Sequence, residues 1–397
     1  MIFHRPETEK RLFCPGPTPV PLKARFAAIH TSPYHRTDEF YRVFINCSEI
    51  LGKFLDAEHA PLILNGSGTA AMEAAVVNFT EAGDRVLVLN CGKFGERWQE
   101  LVSAFGCEPV ICAAPWGKRP EIEEIRQLMK ASPGIRAVFL QGTETSTAVR
   151  FPVREIAAML RQDFPEALLI VDAVSSFGAE EIRLKEWGLD VVVACSQKAL
   201  GIPPGLSFLA MSERARRRFS GRPRFYFDLR KEAEVQREGQ SAFTPAISLI
   251  LALESVLESW QQQGFSAVLE RAATLAVAVR LGLKAMGLEL LAEQSPSDAL
   301  TAAYFPPGSD GKALIRELRE RYGMVFAGGQ GQLAGRIVRI AHFGGADPAD
   351  LAAGLLALEY ALFPDRFPSD GARGAAAFWA ACYPLRSGEA DSAETRR

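Results

Sequence analysis

The segment that decides the fold of this 397-residue chain reads Val191-Val-Val-Ala-Cys195-Ser-Gln-Lys198-Ala-Leu-Gly-Ile-Pro-Pro-Gly205. It begins with an apolar run typical of a buried strand, reaches a lysine, and ends in a Pro-Pro-Gly loop. An ammonium group at the end of a buried strand loses hydration, so its neutral and nucleophilic form is favoured. Lys198 therefore meets the requirement for imine formation with an aldehyde.

Short apolar runs alternate with amphipathic stretches on both sides of this segment. The other runs lie at 60–64, 85–89, 137–140, 168–171 and 206–210. Continuous apolar strands separated by helices favour an α/β fold with a mostly parallel sheet covered on both faces. Right-handed crossovers place the loops after successive strands at the carboxyl edge of such a sheet, where α/β enzymes bind ligands.

The chain is longer than one hydrophobic core usually supports, so we expect two domains. Two long helical patterns, at 246–262 and 265–286, end the alternation of strands and helices. We predict an N-terminal segment over residues 1–25, a large domain over 26–262, a smaller C-terminal α+β domain over 263–365 and a tail over 366–397. Within the tail, residues 375–382 are predicted to form a short docking helix.

The composition excludes several classes of function. With 45 basic and 47 acidic side chains, a net charge of -2 and a pI near 6.3, the chain has no electrostatic signature of nucleic-acid or membrane binding. No apolar stretch reaches a membrane-spanning length. The seven cysteines are scattered without metal-ligand spacing, so we predict no metal site and a reduced, cytoplasmic setting.

Two further motifs stand at predicted strand ends. Asp172 follows the apolar run at 168–171, and the turn Asn65-Gly-Ser-Gly-Thr69 opens a predicted helix. Alone, each is commonly a turn former or a helix cap. Together with Lys198 they match a phosphorylated pyridine aldehyde, which needs an amine, a carboxylate for its ring nitrogen, and backbone N–H groups for its phosphate.

Four segments resemble class V aminotransferases of the alanine–glyoxylate and serine–pyruvate subgroup, which are fold-type I pyridoxal phosphate (PLP) enzymes. They lie at 66–75, 144–147, 196–205, and 328–331 followed by 336–340. Pro15-Gly-Pro-Thr-Pro-Val-Pro21 and His35-Arg36-Thr37 are also similar to the subgroup. The Ser-Gln-Lys segment with its Pro-Pro-Gly is the most specific. The resemblance covers about residues 12–362 and implies a large PLP-binding domain and a smaller C-terminal one.

The resemblance implies roles around the cofactor ring. Lys198 would carry PLP as a Schiff base and shuttle protons, and Asp172 would pair with the ring nitrogen. Phe94 would stack on the ring and Val174 would pack beneath it, while Thr145 would lie near the phenolic oxygen. The alternative for Phe94 is a plain core residue.

The resemblance also implies a phosphate site, a substrate site and a dimer. The phosphate would be bound by Ser67, Gly68, Thr69 and Gln197. A second subunit would complete that site through Thr244, which implies a C2-symmetric homodimer. Arg339 would bind the substrate carboxylate through a two-pronged contact. The alternative for Arg339 is an ordinary edge-strand arginine.

The implied function is transamination between small-molecule substrates, from alanine or serine to glyoxylate or pyruvate, with ping-pong kinetics. One alternative is a 2-aminoethylphosphonate–pyruvate-type transaminase. Another is a PLP-dependent lyase or desulfurase, but desulfurases need a loop cysteine, and only Cys382 follows Lys198. A non-catalytic protein of this fold would have lost Lys198 or Asp172. The chain departs from the family at Ala148, where glycine is common. A methyl group there can reshape the substrate side of the pocket, so the motifs do not specify the amino-acid substrate.

Overall fold

The computed structural model describes residues 10–29, 33–367 and 370–383. Residues 1–9 of the predicted N-terminal segment and 384–397 of the predicted tail lie outside the described ranges. Among the residues that the structure describes, no helix combines the length and apolar character that crossing a membrane would require.

The strands of the described chain are short and mostly buried. They are β1 (Arg11–Leu12), β2 (Leu62–Asn65), β3 (Arg85–Asn90), β4 (Glu108–Ala113), β5 (Ala137–Gln141), β6 (Thr143–Glu144), β7 (Val149–Arg150), β8 (Leu168–Asp172), β9 (Val191–Cys195), β10 (Leu206–Met211), β11 (Leu300–Tyr304), β12 (Met324–Val325), β13 (Ala327–Gly328) and β14 (Ile337–Ala341).

The helices cover both faces of the strands. They are α1 (Leu22–Ile29), α2 (Asp38–Leu55), α3 (Gly68–Phe79), α4 (Lys93–Ala104), α5 (Ile122–Ala131), α6 (Val153–Asp163), α7 (Glu213–Arg216), α8 (Leu229–Gln236), α9 (Ile247–Gln263), α10 (Phe265–Ala285), α11 (Gly311–Arg321), α12 (Pro348–Leu362) and α13 (Arg373–Cys382). Short 3-10 helices lie at Gly331–Leu333 and Pro364–Arg366.

The central sheet has the strand order β2-β10-β9-β8-β5-β3-β4. Only β10 runs antiparallel to its neighbours among these described strands, which confirms the predicted mostly parallel sheet. Successive side chains of a central strand pack into two different hydrophobic cores, one on each face of the sheet. Leu169 and Val171 of β8 face one core, while Leu168 and Ile170 face the other. This alternation is why the strand is apolar throughout.

A second, antiparallel sheet with the order β11-β14-β13 lies in the C-terminal part of the chain. Its own core includes Leu283 of α10, Leu318 of α11, Val338 of β14 and Leu355 of α12. This core is separate from the two that cover the central sheet. The predicted domain limits at residues 25, 262 and 365 stay a prediction.

Both ends of the described chain pack on this C-terminal part. β1 pairs in parallel with β12, and the Phe13 carbonyl accepts the Ala341 N–H at 2.8 Å. The predicted docking helix is present as α13, which packs on α10 and α12 with Phe378 fully buried. We call residues 11–18 the N-terminal strap, because they lead from β12 to the Lys198 loop, where Thr18 N–H donates to the Gln197 carbonyl at 3.2 Å.

Candidate active site

Lys198 and Asp172 meet at the carboxyl edge of the central sheet. Asp172 is the last residue of β8, and Lys198 follows the adjacent parallel strand β9. Both are buried, with 9% of Lys198 and 4% of Asp172 exposed. The structure thus brings together the amine and the carboxylate that the sequence predicts.

Burial perturbs both groups. It raises the pKa of the Asp172 carboxyl to about 6, although the Val174 N–H donates to that carboxylate at 2.7 Å and opposes the shift. It also lowers the pKa of the Lys198 ammonium, and the negative charge of Asp172 opposes this second shift. The amine is therefore a better nucleophile than an exposed lysine, and the carboxylate is a better acceptor for a protonated ring nitrogen.

The N-terminal strap holds the lysine in place. Lys198 Nζ donates to the Pro15 carbonyl, and Thr18 Oγ1 donates to the Lys198 carbonyl at 2.6 Å. Gly16 has φ +128, and a Cβ there would lie 2.8 Å from Lys198 Cδ, Cε and Nζ. These contacts were not predictable from the sequence, because a Pro-Gly-Pro run indicates a turn but not the residue that the turn contacts.

Residues 66–69, which lead from β2 into α3 and which we call the anion loop, have features that suit an anion. Gly66 has φ +140, and Ser67 occupies the N-cap without a side-chain capping bond. The first turn of α3 carries no acidic residue, so the positive end of the helix is not neutralised. Gly68 lies against Val174, where a Cβ would stand 2.6 Å from Val174 Cγ2. This close approach and the helix end without a nearby acidic residue fit a cofactor phosphate beside Asp172.

Phe94 lies half-buried in the first turn of α4. The guanidinium carbon of Arg97 stands 4.7 Å from the Phe94 ring centroid, and Arg97 Nη1 donates to Thr69 Oγ1 at 3.4 Å. Arg97 thus places a cation between the aromatic ring and the anion loop. Arg97 was not among the residues predicted from the sequence, although its i+3 spacing from Phe94 on a helix places the two side chains on one face.

Arg339 is not the edge-strand arginine of the alternative interpretation, because β14 is the middle strand of its sheet. The side chain is 6% exposed, and Nε and Nη1 donate to the carbonyls of Gly328 and Thr145, each at 2.9 Å. Burial lowers its pKa to about 10, so it stays protonated at neutral pH. The fixed guanidinium suits a carboxylate ligand.

Three further residues predicted around the cofactor, Thr145, Gln197 and Thr244, differ in their burial and hydrogen bonding. Thr145 is buried, with its hydroxyl 2.6 Å from that of Ser175, a neighbour that the sequence analysis missed. In the described chain, no hydrogen bond joins Gln197 to residues 66–69. Thr244 is exposed, and its carbonyl accepts from Asn65 Nδ2 at 2.8 Å, just before the anion loop.

The sequence matches the family Aminotransferase class-V over residues 22–333. The chain belongs to the class V aminotransferases. This aminotransferase is 33% identical over 360 residues to a serine–glyoxylate aminotransferase of Hyphomicrobium methylovorum, covering 88% of this chain and 89% of that protein. It is 36% identical over 358 residues to a "Soluble hydrogenase, small subunit" of a Synechococcus strain, covering 88% and 92% of the two chains.

Among solved structures, this class V aminotransferase is similar to an aspartate aminotransferase of subgroup IV from Thermus thermophilus. The TM-score is 0.83 at 34% sequence identity, and the match covers 89% of this chain and 99% of that one. This likeness agrees with the predicted fold-type I architecture.

Proposed function

We propose that this enzyme is a PLP-dependent transaminase that moves an amino group from alanine or serine to glyoxylate or pyruvate by a ping-pong mechanism. The observation that carries the proposal is the buried Lys198 amine beside the buried Asp172 carboxylate, at the ends of adjacent parallel strands. When bound, PLP supplies an electron-accepting ring that stabilises negative charge at the substrate α-carbon.

The described side chains have complementary tasks around that cofactor. The Ser67–Thr69 loop binds the phosphate, and Asp172 accepts the ring N–H. Phe94 and Val174 enclose the two ring faces. Lys198 Nζ would hold the aldehyde carbon of the cofactor, and as a buried free amine it would carry the proton to and from the substrate α-carbon.

The substrate assignment rests on Arg339 and on the relatives. Its guanidinium is fixed by two carbonyls and retains free N–H groups for a carboxylate. Glyoxylate is the acceptor named for the serine–glyoxylate relative. The similar Thermus protein is named an aspartate aminotransferase, so aspartate is the donor that most directly competes with alanine and serine.

A homodimer is part of the proposal, with Thr244 of one subunit completing the phosphate site of the other. Thr244 is exposed in the single chain, while its backbone is tied to Asn65 beside the anion loop. An exposed hydroxyl at the rim of the site is available to a partner subunit.

The desulfurase alternative is poorly supported. It requires a cysteine on a mobile loop near Lys198, whereas Cys382 ends α13, a helix packed on α10 and α12. Cys195 is the last residue of β9, but burial raises the pKa of its thiol to about 12. Neither thiol is placed to accept sulfur.

The cofactor is tested by borohydride reduction of PLP-loaded protein, followed by peptide mapping. A pyridoxyl group on Lys198, and none in Lys198→Ala, is the expected result; a wild-type protein without it would contradict the proposal. Donors are then compared against glyoxylate and pyruvate, with aspartate and 2-aminoethylphosphonate as rivals. Parallel double-reciprocal lines are expected for the preferred pair, and intersecting lines would exclude the ping-pong mechanism.

A further inference from the structure

Glu144 is a completely buried carboxylate with an unusually full set of donors. Its Oε2 accepts the backbone N–H groups of Phe94 and Gly95, each at 3.0 Å, and the Gln141 amide at 3.2 Å. Its Oε1 accepts the Ser146 N–H at 3.1 Å and the Ser146 hydroxyl at 2.6 Å. Every one of these groups donates, so the site is built for an anion, although burial raises the pKa of the carboxyl.

This carboxylate caps a helix from a distance. The N-cap of α4 is Gly92, which has no side chain to satisfy the first free N–H groups of the helix. Ser146 Oγ accepts the Lys93 N–H at 3.0 Å, and Glu144 takes the next two. A Cβ on Gly92 would lie 2.3 Å from Ser146 Oγ and 2.5 Å from Glu144 Cδ. Glycine therefore lets the remote cap approach the helix.

The same turn reaches the substrate side of the site. Thr145 follows Glu144 directly, and the Thr145 carbonyl accepts the Arg339 Nη1 donor at 2.9 Å. The Thr145 hydroxyl lies 2.6 Å from the Ser175 hydroxyl, and Ser175 follows Asp172 by three residues in the chain. Glu144 thus stands where α4, β14 and the loop after β8 converge.

We propose that Glu144 is a positioning residue of this active site, whose buried anion holds the first turn of α4 and thereby the Phe94 ring, and keeps Thr145 and Arg339 in register with it. The inference rests on the proposed PLP function for its binding readout. A measurement on cofactor-free protein tests it separately.

The charge of Glu144 also acts on two ionisable groups of the site, Asp172 and Arg339. Burial raises the pKa of Asp172, and the Glu144 charge adds to that rise. Burial lowers the pKa of Arg339, and Glu144 opposes that fall. One buried anion therefore raises the pKa of the proposed ring-nitrogen acceptor and also favours the charged form of the Arg339 guanidinium.

The deciding variant is Glu144→Gln, which keeps the shape of the side chain. Both carboxylate oxygens accept at least two hydrogen bonds, so an NH2 group in either orientation would face donors. We expect faster amide hydrogen exchange at residues 93–95 in cofactor-free protein. We also expect the Kd for PLP to rise on the order of tenfold or more, because buried N–H groups lose their acceptor.

Ser146→Ala provides a second, milder variant in case Glu144→Gln folds poorly. It removes one donor to Glu144 and the acceptor of the Lys93 N–H, but it leaves the carboxylate in place. Smaller changes in the same direction are expected in exchange at residues 93–95 and in PLP binding.

Glu180→Gln is the matched control. Glu180 is also buried and accepts bonds from Thr143, Ser297 and Asp298, away from α4. We expect it to lower thermal stability without changing exchange at residues 93–95 or the Kd for PLP. Unchanged exchange and binding in Glu144→Gln, or an equal loss in Glu180→Gln, would overturn the positioning role. Failure of the wild type to bind PLP would instead contradict the proposed function. The exchange data would still show whether Glu144 caps α4.

Discussion

Gly68 and Val174 pack so closely that a Cβ on Gly68 would stand 2.6 Å from Cγ2 of Val174. Gly68 opens α3 at the anion loop, and Val174 follows Asp172 after β8. The contact therefore brings the proposed phosphate site close to Asp172, the carboxylate proposed to pair with the ring nitrogen.

Gly68→Ala is expected to weaken PLP binding by about tenfold, because overpacking of this kind costs about 1–3 kcal/mol. The Kd of the cofactor-free protein for PLP measures the effect. Adding Val174→Ala should recover part of the loss, since it removes the clashing methyl groups. Gly52→Ala is the control. Gly52 lies inside α2, and a Cβ there would stand 3.4 Å from Pro61 Cδ, an ordinary contact distance, so the Kd for PLP should not change.

Asp172→Asn should stabilise the cofactor-free protein at pH 8 while it abolishes transamination. The folded pKa of about 6 exceeds the ordinary aspartate value of 3.8, so the folded state binds more protons between these values. Stability therefore falls as pH rises through that window, by up to about 3 kcal/mol for this shift. Urea unfolding at about pH 4 and pH 8 should show the gain of Asp172→Asn at the higher pH only.

Asp190→Asn provides the opposite case. Asp190 is equally buried but forms ion pairs with Arg161 at 2.6 Å and Arg214 at 2.9 Å. Its replacement should destabilise the protein at both pH values, because it leaves two arginines without their partner. If Asp172→Asn behaves in the same way, the burial argument for Asp172 is wrong.

Arg339→Lys is expected to raise the KM for the 2-oxo acid by about ten- to a hundredfold, because charge-assisted hydrogen bonds contribute about 1.5–3 kcal/mol. A lysine keeps the charge but cannot bond the Gly328 and Thr145 carbonyls and a carboxylate together. The Kd for PLP should change little. A variant with normal KM would show that Arg339 only supports the sheet.

Ala148→Gly is expected to be neutral or to stabilise the protein by up to about 1 kcal/mol. Ala148 is buried with φ 61, the left-handed conformation that favours glycine. Ala148 therefore adopts the left-handed backbone conformation that the glycine common in the family would adopt. Ala148→Val should destabilise the protein clearly, since a branched side chain is disfavoured there. Thermal unfolding of both variants checks the sign.

The parts of the candidate site that directly follow a single strand were predictable from the sequence. Lys198 and Asp172 were predicted because each follows a run of buried apolar residues, and parallel strands bring such ends to one edge. β4 was not predicted, because it lies at the sheet edge and its residues are only partly buried and less uniformly apolar. The short pairing of β1 with β12 has no local pattern at all.

The sequence by itself determined the α/β order of elements and the family, because periodicity and the Ser-Gln-Lys segment are local properties of the chain. Only the tertiary structure decided that Pro15 holds the Lys198 amine, that Glu144 caps α4, and that Arg339 lies in a middle strand. These contacts join residues far apart in the chain. Each depends on which surfaces remain free after the sheets have packed, and no spacing in the sequence records that.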